Sequence, residues 1–255
     1  MPNFLAHRIC ADITLQRLEG SPAAEIIGRH PASYLLGSQG ADILYFRLTQ
    51  LLRGRRGMVY HARMLHGQPI GKLAALGGEY LERSAGKRQF EDAFAYVCGF
   101  LCHHAVDENV HSLIGEKQVG LLRHRRIELD LDAFMSRHLC IEPGKRPSGR
   151  SSANGAAGLG GMAQWYNFIF SGLFSRKFSR KAYARDYRAM RRASLFLDRP
   201  GRIGKRKFID RPMLPMCELR AMLAAALKGA WSAADIIDRM FLALHCGGQL
   251  LLTEQ

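Results

Sequence analysis

Residues 95–111 have the sequence AYVCGFLCHHAVDENVH, and this stretch decides how the rest of the chain is interpreted. Within it His103, Asp107 and His111 follow one another at intervals of four residues. On an α-helix this spacing stacks the three side chains on one face. Imidazole and carboxylate groups are ligands that zinc accepts. A second pair, His124 and Glu128, has the same spacing in the next helical stretch. The two stretches together predict a metal centre on neighbouring helices.

The composition indicates a folded protein with an anionic partner. The chain has 255 residues, of which 47% are hydrophobic, so it can bury a full core and is not intrinsically disordered. The formal net charge of +15 points to nucleic acid, phospholipid head groups or a phosphorylated substrate. Most of this excess lies in residues 176–211, which contain fourteen Lys or Arg and three Asp.

The sequence predicts a cytoplasmic protein that can make peripheral contact with a membrane. No segment is apolar over about eighteen residues, the length that a transmembrane helix needs. The first residues show no basic region followed by an apolar run, the pattern of a signal peptide. The six cysteines show no CxxC spacing, so reduced and mostly buried thiols are expected.

Hydrophobic periodicity predicts an all-α, multi-helix single domain of about eight to ten helices. Residues 1–140 are expected to form the metal-binding helical core, and 162–255 the basic C-terminal helices that complete it. The Gly-, Ser- and Pro-rich residues 141–161 between them are expected to form a flexible loop. The main helices are expected at 3–19, 22–30, 69–83, 88–115, 119–138, 162–174, 179–197, 216–228 and 232–246. Ser232 is the expected N-cap of the last helix.

The chain contains more candidate metal ligands than ordinary structural roles for single residues would explain. A single histidine on a helix is usually a hydrogen-bonded surface or core residue. Here eight residues with nitrogen or oxygen ligand atoms accumulate, several of them at helical spacing. They are His7, Asp42, His66, His103, Asp107, His111, His124 and Glu128.

Four segments carry a resemblance to a known family. They are MPNFLAH (1–7), GSQGADILYF (37–46), GFLCHHAVDENVH (99–111) and HRRIELDLD (124–132). In this order they resemble the zinc-dependent phospholipase C family of bacteria, whose architecture is similar to that of the S1/P1-type nucleases. The resemblance covers roughly residues 1–135. It implies an all-helical fold, up to three zinc ions in a cleft, and hydrolysis of a phosphodiester in a phospholipid.

The resemblance also implies a role for each candidate. His7 would be the N-terminal histidine ligand, and Asp42 would bind zinc and act as general base. His66 would be a further ligand, while His103 and Asp107 would bind the closely spaced ions, with Asp107 as the bridge. The remaining site would consist of His111, His124 and Glu128. Two other histidines, His61 and His104, are expected to support the ligands or to replace one of them.

The basic C-terminal region allows two interpretations. The segment MAQWYNFIFSGLF (162–174) leads directly into SRKFSRK, and aromatic residues beside basic ones suit an anionic membrane interface. Alternatively, Trp165, Phe168 and Phe174 face the core and the basic residues are solvated. The expected contacts with an anionic substrate or membrane are Arg176, Lys177, Arg180 and Lys181. The same charge could follow a nucleic-acid backbone.

Three functions therefore remain open. The first is a zinc-dependent phosphodiesterase resembling phospholipase C, in which a metal-activated water attacks a phospholipid or a small phosphodiester. The second is a zinc nuclease of the S1/P1 type, which the positive charge favours. The third is a non-catalytic protein stabilised by metal, whose basic surface binds nucleic acid or an anionic membrane.

Overall fold

The computed structural model describes residues 4–46, 58–115, 121–139, 155–177, 179–197 and 213–246. Within these ranges the chain forms ten α-helices, one 3₁₀ helix and no strand, which confirms the all-α prediction. The α-helices are α1 (Phe4–Arg17), α2 (Pro22–Arg29), α3 (Pro31–Gly37), α4 (Met58–His66), α5 (Ile70–Glu82), α6 (Phe90–Gly115), α7 (Leu121–His138), α8 (Gly155–Phe174), α9 (Arg180–Leu197) and α10 (Met216–Cys246), and the 3₁₀ helix spans Gly40–Phe46.

Helix α6 is the centre of the fold. Every residue from Ala93 to Asp107 is buried, as expected for a helix that is apolar on most of its faces. Its first half packs in one apolar cluster with α3, α5, α8 and the end of α10. Its second half packs in another with α1, α7 and the start of α10. His103 and Asp107 lie where the two clusters meet, so the centre of the core is polar at this point.

Two glycines let α3 cross α6 at very short range. A Cβ atom at Gly37 would lie 2.1 Å from the carbonyl oxygen of Tyr96, and one at Gly99 would lie 2.0 Å from that of Tyr34. No side chain fits at such distances, so the crossing requires glycine on both helices. Because the 3₁₀ helix begins three residues after Gly37, this crossing brings it directly against α6.

Two predicted boundaries are wrong. A single helix, α10, replaces the two expected at 216–228 and 232–246, so Ser232 lies inside a helix and is not an N-cap. The glycine that suggested a break, Gly229, is where α10 touches α6: a Cβ there would lie 2.6 Å from the oxygen of Ala105. Helix α8 begins at Gly155 instead of 162, so part of the expected loop is helical. At Gly229, the close packing of α10 against α6 thus offsets the roughly 1 kcal/mol that a glycine costs in a helix.

The aromatic segment of α8 faces the core. Trp165 is fully buried, and Phe168 and Phe174 are half-buried against the main apolar cluster. Among the described residues, no helix is both long enough and apolar enough to cross a membrane. Cys10, Cys98 and Cys102 are buried free thiols, as expected, and Cys217 is an exposed one.

Candidate metal centre

Asp107 is the meeting point of the predicted ligands. It lies on α6 between His103 and His111, one turn from each, and its side chain is 10% exposed. His7 comes from α1, and Glu128 from α7. Two further ligands, Asp42 in the 3₁₀ helix and His66 at the end of α4, approach from the other side. Four separate segments of chain thus converge on one turn of α6.

One oxygen of Asp107 faces a compact group of donors. Asp107 Oδ2 lies 3.4 Å from His66 Nε2 and 3.3 Å from His103 Nε2. These two nitrogens are 3.2 Å apart, and His66 Nε2 lies 3.1 Å from Asp42 Oδ1. One ligand atom from each of these four residues lies within 4.8 Å of all the others.

The other oxygen of Asp107 faces a second set of imidazoles. Asp107 Oδ1 lies 3.2 Å from His7 Nε2 and 3.8 Å from His111 Nε2. His111 Nε2 in turn lies 3.6 Å from Glu128 Oε1. The side chain of His111 is 37% exposed, far more than the others, so this side of the cluster opens to solvent. The two oxygens of one carboxylate thus face two different groups of donors.

The backbone around Asp42 is fitted tightly to the cluster. Gly40, two residues earlier, has a φ of +48°, and a Cβ atom there would lie 2.0 Å from the ring of His103. The hydroxyl of Tyr166 donates a hydrogen bond to the carbonyl oxygen of Gly40, at 2.5 Å. Glycine is therefore required at this position both for its backbone conformation and for the approach of the imidazole.

The hydrogen bonds of His66 indicate that a cation belongs in the cluster. His66 Nδ1 lies 2.8 Å from the carbonyl oxygen of Ala62, which can only accept, so Nδ1 carries a proton and donates. In the neutral ring, the lone pair of Nε2 then faces Asp42 Oδ1 and Asp107 Oδ2. Electron-rich atoms this close repel one another unless a proton or a metal ion lies among them.

The spacing of these atoms fits zinc. A tetrahedral zinc ion with bonds of about 2.0–2.1 Å places its ligand atoms about 3.3–3.4 Å apart. Four of the six separations between the ligand atoms of Asp42, His66, His103 and Asp107 run from 3.1 to 3.4 Å. Two imidazoles and two carboxylates are also a donor set that zinc accepts. The residues present therefore fit a zinc ion at this position.

Protons take the place of the cation when no metal is bound. Burial lowers the pKa of His66, but the hydrogen bond and the charge of Asp42 outweigh burial and leave that pKa raised. The charge of Asp107 raises the pKa of His111 to about 9. His103 differs, because burial and the neighbouring His7 hold its pKa well below the usual range. Metal binding must therefore displace protons from some of these rings but not from His103.

Three further histidines were predicted as ligands or as supports for the ligands, and the structure places two of them outside the four-residue group. His61 is buried among the rings of Tyr60, Phe170 and Phe174, at centroid distances of 5.5 to 5.9 Å, and is not a member of the four-residue group. His104 packs its ring 5.3 Å from that of His66 and is also outside the group. The side chain of His124 lies outside the described residues, so its role as a ligand stays a prediction.

The predicted cationic contacts lie on the surface. Arg176 and Lys177 follow α8, and Arg180 and Lys181 begin α9, all with exposed side chains. Helix α9 packs against the 3₁₀ helix that carries Asp42. Helix α9 is therefore a neighbour of the metal centre in the fold, although none of these four side chains belongs to the group around Asp107.

Comparison with models of protein families identifies the family of the chain. A family model described as zinc-dependent phospholipase C matches residues 1–180 of the chain. The chain belongs to this family. No curated protein and no solved structure matches significantly. Residues 1–180 include all the predicted ligands and the whole group around Asp107, so the zinc dependence of the family agrees with the donor set found here.

Sequence reasoning missed the residues that position the ligands of this member of the zinc-dependent phospholipase C family. Gly40 and Gly99 permit the close approaches, and Tyr166 holds the backbone of the 3₁₀ helix. The repeated glycines in GSQG (37–40) were a signal for a close backbone approach. Nothing in the sequence pointed to Tyr166, because its partner lies 126 positions away.

Proposed function

We propose that the protein is a zinc-dependent phosphodiesterase that hydrolyses a phospholipid in the manner of a phospholipase C. The observation that carries this proposal is the position of Asp107, whose two oxygens face separate groups of imidazole donors. Family membership supports the zinc dependence and the lipid substrate.

The ligands divide into sets around Asp107. Asp42, His66 and His103 would hold one ion with Asp107 Oδ2, and His7 would hold another with Asp107 Oδ1. His111, Glu128 and the predicted His124 would hold a third. When bound, zinc supplies Lewis acidity to the phosphodiester and lowers the pKa of water towards neutrality.

Asp42 is the proposed general base. One of its oxygens, Oδ1, faces His66 within the cluster, and the side chain is 9% exposed, so part of the carboxylate is accessible to water. Its carboxylate would accept the proton of the attacking water as a new oxygen–phosphorus bond forms. The phosphorus–oxygen bond to the alcohol breaks, the alcohol takes up a proton, and the products are an alcohol and a phosphomonoester.

The exposed cations are proposed as contacts for anionic groups. Arg176, Lys177, Arg180 and Lys181 lie on the surface near the helix that packs against the 3₁₀ helix. Cations at such a place would attract an anionic head group or membrane towards the metal centre. The cytoplasmic location expected from the sequence also stays a prediction.

A chelation assay on three substrates tests the proposed reaction. Release of the phosphorylated head group is measured with phosphatidylcholine and phosphatidylglycerol, and nucleotide release with single-stranded DNA. We expect lipid hydrolysis to fall at least about 100-fold after chelation, because the Lewis acid is worth several kcal/mol, and to return when zinc is added. Turnover that chelation does not change would contradict the proposal. Faster cleavage of DNA than of either lipid would favour the nuclease instead.

A further inference from the structure

A cavity lies apart from the metal centre, and none of the predicted metal ligands lines it. It has a volume of about 900 Å³ and lies between α5, α8 and the turn that joins α5 to α6. Ala93 of α6 lines it, and His103 lies ten residues further along the same helix, about 15 Å at 1.5 Å per residue. The fully buried rings of Phe100 and Trp165 fill the core between the two sites.

One part of the cavity lining is apolar. Leu76 and Tyr80 of α5 and Phe168 of α8 contribute to it, with the rings of Tyr80 and Phe168 5.4 Å apart. The guanidinium group of Arg83 lies over the ring of Phe168, 5.3 Å from its centroid. The volume falls within the range of about 300–1,000 Å³ that is usual for ligand pockets. The cavity therefore has room and apolar surface for a short hydrocarbon chain.

The other part of the lining is cationic. Arg83, Lys87, Arg88 and Lys177 face the cavity, against the single carboxylate of Glu79. That carboxylate is already paired with Arg83, and Lys87 Nζ donates to the carbonyl oxygen of Arg83 at 2.6 Å.

Two of these cations have no hydrogen-bond or ion-pair partner among the residues that the structure describes. Arg88 and Lys177 are exposed, and neither makes a hydrogen bond or an ion pair with any residue in the described ranges. Nothing within those ranges neutralises them, so they are available to bind an anion.

We propose that this cavity binds an anionic amphiphile, with its phosphate held by Arg88 and Lys177 and its hydrocarbon chain against Leu76, Tyr80 and Phe168. Cations beside an apolar wall match a molecule that is charged at one end and apolar at the other. None of these residues belongs to the metal centre, so the inference stands independently of the proposed hydrolysis.

Binding of soluble probes to the zinc-loaded protein, measured by calorimetry, tests the inference. The probes are dihexanoyl phosphatidate below its micelle concentration, glycerol 3-phosphate and inorganic phosphate. Phosphatidate is a phosphomonoester, whereas the proposed reaction hydrolyses a phosphodiester, so we expect that it is not consumed. We expect it to bind at least tenfold more tightly than the two probes that have no chain. Equal affinities for all three probes would overturn the amphiphile assignment.

Charge reversal locates the binding site. The double variant Arg88→Glu/Lys177→Glu should bind phosphatidate at least tenfold more weakly. The control Arg185→Glu/Arg188→Glu changes the net charge equally on exposed positions of α9 and should bind within twofold of the wild type. Equal losses in both double variants would overturn the inference, since they would indicate only long-range attraction. Retained binding by Arg88→Lys/Lys177→Arg, with an unchanged melting temperature, would support a site that needs the charges.

One further variant separates this cavity from the metal centre, which could also attract a phosphate. Asp107→Asn should bind phosphatidate within twofold of the wild type, because Asp107 lies outside the cavity. Loss of binding in this variant would overturn the inference by assigning the probe to the metal centre. Absence of lipid hydrolysis in the wild type would contradict the proposed function alone.

Discussion

The metal centre and the α5–α8 cavity both present charged groups, but they are built in opposite ways. The metal centre gathers buried groups of both signs from four distant segments around one carboxylate. The cavity gathers exposed cations, most of them from one turn of chain, beside an apolar wall. A buried cluster of carboxylates and imidazoles depends on the fold and on a bound cation. Exposed cations are solvated and need no bound ion of opposite charge, so substitutions should affect the two sites differently.

The largest effect is expected from Asp107→Asn. The amide keeps the shape of the side chain but removes the charge shared by both groups of imidazoles. We expect hydrolysis of phosphatidylcholine to fall about 10³-fold in a zinc-replete assay, the rate equivalent of several kcal/mol. The matched control is Asp130→Asn, which alters a buried carboxylate bound to Arg126 and to the backbone N–H of Met213. An equal loss of activity in both variants would show a general effect on folding.

A slightly smaller effect is expected from Gly40→Ala, which tests the fit of the 3₁₀ helix. The added methyl group would collide with the ring of His103, and the φ of +48° strains any residue other than glycine. We expect a loss of about 1–3 kcal/mol in the free energy of unfolding, measured with denaturant, and a reduced zinc content.

Gly78→Ala provides the comparison for that variant. This glycine lies inside α5, where an added Cβ meets nothing within 4 Å. The change should stabilise the protein by about 0.5–1 kcal/mol and leave the zinc content unchanged. Equal stability of the two variants would mean that the contact between Gly40 and His103 is not tight.

The pH dependence of zinc binding tests whether zinc displaces protons from the imidazole rings of the metal centre. The pKa of His111 is raised to about 9 in the metal-free protein, so at pH 7 this ring carries a proton that zinc must displace. Zinc affinity at this position should therefore increase as the pH rises towards 9, by up to about tenfold per unit, and level off above it. Calorimetry in buffers of different ionisation enthalpy would detect the released proton. Zinc binding without proton release at pH 7 would contradict the expected coupling.

The smallest effect is expected from His61→Phe, and it settles which of two histidines on α4 binds metal. His61 lies among aromatic rings, whereas His66 lies among the ligands. His61→Phe should keep its zinc through dialysis, while His66→Phe should lose at least one equivalent. The reverse result, measured by elemental analysis, would assign the ligand to His61.

The comparison also explains how much of the molecule could be predicted from its sequence. The helices and the ligand candidates around Asp107 follow from local spacing, because a period of four residues places His103, Asp107 and His111 together wherever the helix lies. The continuity of α10 through Gly229 was missed, because that glycine serves a contact with Ala105 on another helix. Its role is decided by tertiary packing, which a single segment does not reveal.

The α5–α8 cavity could not be predicted for a related reason. Arg83, Lys87 and Arg88 resemble ordinary solvated charges in a turn, and Lys177 lies about ninety residues away. Only the packing of α8 against α5 brings Lys177 and Phe168 to that turn. The metal centre could be predicted from the sequence because its ligand types are distinctive as well as regularly spaced.

The zinc content of Asp107→Asn, measured by elemental analysis beside the wild type, tests most directly whether this carboxylate is shared between two ions. Both proteins are loaded with zinc and dialysed in parallel at pH 7. If Asp107 serves two positions, the variant should retain at least two zinc equivalents fewer than the wild type. A loss of one equivalent or none would contradict the bridging role.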